Sequence, residues 1–217
     1  MLYVPAPPAQ PDVALAPVEI VSSALTLAGQ PPATALTVRS SSLNVLDGQA
    51  ATVTGTLQAL ARLGGLPGRI VTLQALGRNR WSTVARTRTG PKGRFQLRYI
   101  TRSTGSERVR LRFAGAANML GAHRRLGQLN VYRLAEASWY GGGGSLACGG
   151  SLTGATMGVA NKTLPCGTLV TLRYGGRSVR VPVVDRGPYV AGREFDLTQA
   201  TKQALGFGDT GEVWSTR

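Results

Sequence analysis

The feature that most constrains the fold is an alternation of apolar and other residues, with a period of two, across residues 37–133. Turn-forming pairs such as Asp47-Gly48 and Gly64-Gly65 separate the alternating runs. Because successive side chains of a strand point to opposite faces, this alternation predicts half-buried β-strands. The runs cover residues 36–43, 51–57, 70–75, 81–85, 94–99, 109–113 and 126–131.

About seven short strands within roughly 95 residues predict an immunoglobulin-like β-sandwich over residues 37–133. Residues 93–97, Gly-Arg-Phe-Gln-Leu, give this region a weak resemblance to bacterial immunoglobulin-like modules. Trp81 is interpreted as a core or edge packing residue, with sugar stacking as the alternative. Residues 1–36 are rich in proline and alanine without a clear period, and are interpreted as an extended tether.

Two aspartates near the C-terminus draw attention because the chain has only 10 Asp and Glu against 25 Lys and Arg. Asp185 closes an apolar run, and Asp196 directly follows a phenylalanine. Paired carboxylates can serve as general acid and base in the cleavage of a glycosidic bond. The alternative is a local structural role, in which Asp185 caps a turn and Asp196 caps a helix.

The sequence around these aspartates carries further motifs in a fixed order. They are Ala137-Ser138-Trp139-Tyr140-Gly141, Leu146-Ala147-Cys148-Gly149-Gly150, Asn161-Lys162-Thr163-Leu164-Pro165-Cys166-Gly167, Asp185-Arg186-Gly187-Pro188 and Asp196-Leu197-Thr198. In order and spacing they resemble the RlpA-like (rare lipoprotein A-like) family of double-psi β-barrels, which is related to the expansin catalytic domain. The resemblance implies a six-stranded double-psi β-barrel with a short helix over residues 134–217, acting on bacterial peptidoglycan.

The resemblance also assigns roles to individual residues. Asp185 matches the expected catalytic acid/base, and Asp196 matches the aspartate that is important in expansins. Ser138 and Tyr140 fall in the first-strand motif that lines the cleft. Where the classical enzymes carry a histidine, this chain has Asn161, whose amide can hold a sugar hydroxyl but cannot shuttle protons near neutral pH. This departure bears on catalysis rather than on the fold.

Other side chains complete the predicted substrate-binding set. Trp139, Tyr140 and Tyr189 are candidates for stacking on a sugar ring, and Arg186 directly follows the catalytic candidate. No cofactor is predicted. A metal site is not predicted either, because the only histidine, His123, is far in sequence from both cysteines and zinc usually takes four ligands.

The two cysteines, Cys148 and Cys166, are each followed by a glycine in the loop-rich part of the expected barrel. In the oxidising compartment that the resemblance implies, a disulfide is favoured over two buried free thiols. It would close a loop of roughly 15–20 residues and contribute about 3 kcal/mol in the chain-entropy model.

Local signals in the C-terminal region fit a small barrel. Gly175-Gly176, between alternating runs at 168–174 and 177–184, is a hairpin signal. Residues 198–205 predict a short helix, with Asp196 or Thr198 as N-cap and a glycine as stop. Residues 211–216 would form the closing strand, and residues 132–136 read as a short link between the two domains.

The net charge of +15 resides in the predicted sandwich: residues 37–133 hold 17 basic residues against Asp47 and Glu107. Arginines alternate with apolar residues at positions 108–112, which places them on one solvated strand face. Such a face could simply keep the protein soluble, or it could attract anionic wall polymers. Nucleic acid is disfavoured as a partner because no stacking aromatics are interleaved there.

The sequence predicts a secreted, cell-wall location without a membrane span, since no stretch approaches 18 apolar residues. The N-terminus lacks the basic and apolar regions of a secretory signal, so the signal is expected to be absent from this chain. Three functions remain open: a peptidoglycan lytic transglycosylase, a non-catalytic expansin-like module that binds or loosens the wall, and an ordinary hydrolase that uses both aspartates.

Overall fold

The computed structural model describes residues 31–61 and 64–217, and its described part is mainly β-structure with one short helix. The elements are β1 (Thr34–Ser42), β2 (Asn44–Leu46), β3 (Ala50–Ala59), β4 (Gly64–Gly65), β5 (Ile70–Leu76), β6 (Trp81–Arg88), a 3-10 turn (Pro91–Gly93), β7 (Arg94–Ile100), β8 (Gly105–Phe113), β9 (Ala122–Tyr140), β10 (Gly144–Ser145), β11 (Ser151–Leu152), β12 (Val159–Ala160), β13 (Leu169–Tyr174), β14 (Arg177–Asp185), β15 (Phe195–Thr198), α1 (Gln199–Leu205) and β16 (Thr210–Ser215). The predicted fold class, a sandwich followed by a six-stranded barrel, is confirmed.

The N-terminal half forms two β-sheets. In one sheet β3 pairs with β1 and β7, and β4 adds to the end of β3. In the other, the order is β6-β5-β8-β9, with β2 parallel to the far side of β9. Each of the strand runs predicted from the alternation overlaps a strand, whereas β2 and β4 are too short to give a periodic signal.

The sandwich core follows from the alternation. Along β3 every second side chain is buried, so one face of the sheet is apolar and the other meets solvent. Leu57, Val71 and Leu111 are fully buried, and burying such a side chain contributes about 1.5–3 kcal/mol. The core therefore lies between the two sheets, separate from the cluster that fills the barrel.

Strand β9 serves both halves of the molecule. Over its 19 residues it pairs first with β8 and β2, and then with β15 and β16. Residues 132–136, which the sequence suggested as a link, are therefore the interior of a continuous strand. The predicted boundary between residues 133 and 134 falls inside this strand and stays a prediction. The predicted tether lies outside the described residues as far as residue 30, and β1 begins at Thr34.

A partly buried polar network joins the sandwich to the barrel. The Asn44 side-chain oxygen accepts hydrogen bonds from the Asn130 amide and the Tyr132 hydroxyl, each at 2.9 Å. The Ser106 hydroxyl donates to Asn130 at 2.6 Å and lies 3.1 Å from the Thr171 hydroxyl of β13. Since a buried polar group is costly when unpaired, this network favours one arrangement of the two halves.

The barrel closes in the order β9-β16-β13-β14-β12-β15 and back to β9. Two of its pairings, β12 with β14 and β15 with β9, are parallel. The predicted hairpin turn is confirmed, because Gly175 and Gly176 have φ values of 53° and 86°, the left-handed region that a type I′ turn requires. The helix α1 is confirmed as well, and the structure selects Thr198 as its N-cap and Gly206, at φ 66°, as its end.

Candidate functional site

The barrel brings the two predicted catalytic aspartates to either side of one short strand. Ala160 of β12 is the register partner of Asp185 on β14 and of Asp196 on β15. The two aspartates are therefore two strands apart across the barrel wall, with β12 between them. Ser138 of β9 follows as the partner of Asp196, so these positions form one row across the barrel wall.

Backbone donors orient the Asp185 carboxylate. Its Oδ1 atom accepts hydrogen bonds from the N–H groups of Ala147 and Arg186, both at 2.8 Å. No donor among the described residues hydrogen-bonds the second oxygen, Oδ2. The side chain is half-buried, at the end of β14 where the strand passes into a loop. One oxygen is thus anchored while the other is available to a ligand.

The predicted disulfide is confirmed and supports this arrangement. Cys148 and Cys166 are bonded, with their Cα atoms 5.5 Å apart. The Cys148 N–H donates to the carbonyl of Val184 at 3.2 Å, next to the Ala147 N–H that holds Asp185. The disulfide therefore fixes the turn that supplies one of the two donors to the carboxylate.

Asp196 has a different partner from Asp185. Its Oδ1 atom accepts a hydrogen bond from the hydroxyl of Ser138, which is only 3% exposed. This contact lies on the β9 side of Asp196, away from β12 and Asp185. The two carboxylates are consequently directed toward separate partners, and the Ser138 hydroxyl is already engaged.

Tyr140 lies close to both carboxylates. Its hydroxyl is buried and has no hydrogen-bond partner within the part of the chain that the structure describes. Burial, then the negative charge of nearby Asp185 and the approach of the phenol O–H to its carboxylate, and then the charge of Asp196, raise the pKa of Tyr140 well above the ordinary value of 10.0. The phenol therefore stays protonated at neutral pH, and its O–H lies beside the Asp185 carboxylate.

Asn161, at the position where the resemblance implies a histidine, holds a loop. Its Nδ2 atom donates to the carbonyl of Glu194 at 3.1 Å. Its Oδ1 atom accepts from the N–H groups of Thr163 and Leu164 at 3.1 and 2.8 Å. At 3% exposure the amide is occupied with backbone groups, and its predicted contact with a sugar hydroxyl stays a prediction.

Arg186 supports the same loop from the other side. Its guanidinium donates to the carbonyls of Asn161 and Leu164 at 3.1 and 2.9 Å. It also lies 3.1 Å from the sulfur of Cys166. Arg186 thus connects the Asp185 loop to the disulfide.

The aromatic candidates differ in exposure. Tyr189 is 82% exposed. Its ring lies next to Gly187, which is two positions after Asp185 in the same loop. Trp139 is 36% exposed, but the Lys202 ammonium lies 3.8 Å from its ring centroid. The Trp139 N–H and Lys202 both donate to Asp209, at 2.9 and 2.8 Å. These two hydrogen bonds and the Lys202 charge lower the pKa of Asp209.

Sequence reasoning missed the groups that position these side chains. The donor from Ala147 and the carbonyl of Glu194 are backbone atoms, which any residue type supplies. Only the position of Ala147 next to Cys148 in a motif could have drawn attention to it. Lys202 and Asp209 carry no motif of their own, and their contact with Trp139 depends on the fold.

Within residues 31–61 and 64–217, no cluster of three or more His, Cys, Asp or Glu side chains could hold a metal ion. Among the described residues, no helix has the length and apolar character needed to cross a membrane.

Comparison with known proteins gives matches in this region. Residues 134–214 match a protein family described as Lytic transglycolase. The probable endolytic peptidoglycan transglycosylase RlpA of Aquifex aeolicus is 45% identical over 75 residues, which are 32% of this chain and 33% of that protein. The endolytic peptidoglycan transglycosylase RlpA of Pseudomonas aeruginosa is 39% identical over 87 residues, which are 37% of this chain and 26% of that protein.

The chain thus spans about a quarter to a third of the length of these curated relatives. Among solved structures, the Streptomyces papain inhibitor is similar, with 26% identity, a TM-score of 0.32, and coverage of 38% of this chain and 91% of that one. The assignment depends on the sequence matches and on the strand topology, which agree over the same residues. Residues 134–214 form an RlpA-like double-psi β-barrel.

Proposed function

We propose that this protein cleaves the glycan strands of bacterial peptidoglycan as a lytic transglycosylase, with Asp185 as its single general acid and base. The observation that carries the proposal is the state of the Asp185 carboxylate. Two backbone N–H groups fix Oδ1, and Oδ2 accepts no hydrogen bond from the described residues. The names of the matched relatives, which are peptidoglycan transglycosylases, supply the substrate and the reaction class.

In this reaction one carboxyl group can act twice. Protonated Asp185 gives its proton to the glycosidic oxygen as the bond from that oxygen to the anomeric carbon breaks. The C6 hydroxyl of the same muramyl residue then forms a bond to the anomeric carbon and returns a proton to Asp185. Because the nucleophile belongs to the substrate, proximity favours ring closure and no water has to be positioned.

The remaining side chains have supporting roles. Asp196, held by Ser138, orients the sugar or polarises the attacking hydroxyl. The protonated phenol of Tyr140, which lies beside Asp185, donates a hydrogen bond to the substrate. The exposed ring of Tyr189 stacks on a sugar face next to the reacting bond.

The strand geometry argues against a retaining glycosidase mechanism. A retaining glycosidase needs its carboxyl groups about 5–5.5 Å apart, one as acid and one as nucleophile. Here β12 separates the two aspartates, and Asp196 is bound by Ser138 on its far side. This arrangement supports distinct roles and disfavours covalent catalysis by Asp196.

A second candidate, a non-catalytic expansin-like module that binds or loosens the wall, is favoured by one observation. Asn161 replaces the family histidine, and its amide is buried and bonded to backbone groups. No imidazole is therefore available at this position to exchange protons, so catalysis would depend on Asp185 alone.

We further propose a location outside the cell, at the wall, where the basic sandwich adds attraction to anionic wall polymers. The 17 basic residues of residues 37–133 face only two acidic residues in that range, Asp47 and Glu107. Attraction of this kind is screened by salt. Pelleting with sacculi should therefore weaken as salt rises, and binding that is independent of salt would contradict this part of the proposal.

The experiment that separates the functions is product analysis. Peptide-free glycan strands are incubated with the protein and the products are identified by mass spectrometry. Products with 1,6-anhydromuramyl ends support the lytic transglycosylase. Reducing ends, heavier by one water, would indicate the hydrolase instead. No release, together with retained pelleting on sacculi, would indicate the non-catalytic module.

A further inference from the structure

A concave groove of about 410 Å³ lies on the sandwich, away from the barrel site. It opens where the pairing of β5 with β8 ends, at Ala75 and Val109. Leu76 and Trp81, which are cross-strand partners at the end of the β5–β6 hairpin, line one side of it. The volume falls in the range of small-ligand sites, about 300–1,000 Å³.

The opposite side of the groove is basic. Arg108 and Arg125 line it together with Gln128, and both arginines are exposed. Neither arginine forms an ion pair or a side-chain hydrogen bond with any described residue. A guanidinium presents a planar set of N–H donors that matches a carboxylate or phosphate. The groove therefore holds unneutralised charge suited to an oxyanion.

The indole of Trp81 is held in place beside these arginines. The guanidinium carbon of Arg110 lies 4.2 Å from the centroid of the Trp81 ring, a cation–π contact. Arg110 is itself fixed, because its Nε donates to the Gln74 side-chain oxygen at 2.9 Å. A ring that is already oriented loses little conformational freedom when a ligand packs on it.

A β-bulge helps to form the groove. The register between β8 and β9 shifts between Val109 and Arg110, which leaves Leu126 as an extra residue on β9. Gly127, also at the groove, has a φ of 93° that favours glycine. Bulges commonly redirect side chains next to binding sites. Here Arg108 and Arg125 are not register partners, yet both line the groove next to the shift.

We propose that this groove binds an acidic saccharide, with a sugar ring against Trp81 and its carboxylate between Arg108 and Arg125. The aromatic ring suits the C–H face of a sugar, and the two guanidinium groups suit an oxyanion. A neutral sugar would use only the indole, and inorganic phosphate only the arginines. The site goes beyond the chemistry proposed for the barrel and does not depend on it.

The test follows the tryptophan indole N–H signals of the full chain by NMR during titration with trigalacturonate. The Trp81 signal should shift and saturate, while that of Trp214 should not move. Neutral maltotriose and inorganic phosphate should each bind at least about tenfold more weakly, because each lacks one half of the contacts. Galacturonate compared with glucose 6-phosphate distinguishes a carboxylate ligand from a phosphate ligand.

Two double variants with the same change in net charge provide the control. Arg108→Gln with Arg125→Gln should weaken trigalacturonate binding by about tenfold or more, since it removes both charge-assisted contacts. Arg39→Gln with Arg102→Gln, outside the groove, should change the Kd by less than about threefold. Trp81→Leu keeps an apolar side chain but lacks the indole signal, so its binding is followed by isothermal titration calorimetry; it should also weaken binding by about tenfold.

Four outcomes would overturn the proposal. They are an unchanged Trp81 signal, equal losses in the two double variants, phosphate binding as tightly as trigalacturonate, and single-stranded DNA binding more tightly through Trp81. The second would indicate diffuse attraction, the third a simple anion site, and the fourth a nucleic-acid site. Because no readout involves cleavage of glycan strands, failure here is distinguishable from failure of the function proposed for the barrel.

Discussion

Removing the disulfide should loosen the barrel and its catalytic carboxylate together. Cys148 and Cys166 are 18 residues apart in sequence. In the chain-entropy model a loop of this length gives about 3 kcal/mol of stabilisation. For a unit of this size each kcal/mol corresponds to about 2–4 °C, so the Cys148→Ser, Cys166→Ser double variant should melt about 6–12 °C lower.

The same change should affect activity through the Ala147 N–H. That donor fixes Asp185 at 2.8 Å and belongs to the turn that Cys148 anchors. Once the turn is free, the carboxylate keeps only the donor from Arg186. A displacement of about 1 Å at a reacting group can cost on the order of 100-fold, so we expect turnover of glycan strands to fall by about 10- to 100-fold.

Scanning calorimetry and product release from peptide-free glycan strands measure the two effects. The wild type treated with dithiothreitol should match the double variant, and the same treatment should leave the double variant unchanged. A melting temperature within about 2 °C of the wild type would refute the estimate from loop length. Unchanged turnover in a variant that does melt lower would refute the connection between the disulfide and Asp185.

Further predictions concern three other positions. Asn161→Ala removes three partly buried hydrogen bonds to backbone groups and should cost about 2–3 kcal/mol in urea unfolding, whereas Asn161→Asp, which keeps the acceptor, should cost less. Because the folded state retains the Tyr140 proton above the ordinary pKa of 10.0, its stabilising contribution is complete below pH 10 and is lost as the pH rises further. The free energy of unfolding of Tyr140→Phe should therefore fall less steeply above pH 10.0 than that of the wild type, and parallel curves would contradict this. Arg133→Met breaks a half-exposed ion pair with Glu194 and should cost only about 0.2–1 kcal/mol; a larger loss in urea unfolding would show that the pair is more than a surface contact.

Features set by local sequence could be predicted well. The alternating runs became strands because one face of each is apolar, as along β3. Gly175-Gly176 gave the hairpin because two successive residues there need positive φ. Thr198 and Gly206 bound the helix for similarly local reasons, although the sequence left Asp196 open as the alternative N-cap.

Features that depend on strand pairing could not be read from the chain. The alternation over residues 132–136 is the same whether a strand ends or changes partners, so the continuity of β9 was missed. The row of Asp185, Ala160 and Asp196 arises because β12 pairs with both β14 and β15, although β13 separates β12 from these two strands along the chain. The hydrogen bond from Asn161 to the carbonyl of Glu194 joins two residues that are 33 positions apart along the chain.

The central claim, that Asp185 is the acid and base of a lytic transglycosylase, is tested most directly by the mass of the products released by Asp185→Asn. The asparagine oxygen can still accept from Ala147 and Arg186, so the loop should remain folded. We predict anhydro-ended products from the wild type and a loss of about 100- to 10,000-fold in their formation by the variant, with sacculus binding retained. Undiminished formation of anhydro-ended products by Asp185→Asn would contradict the claim.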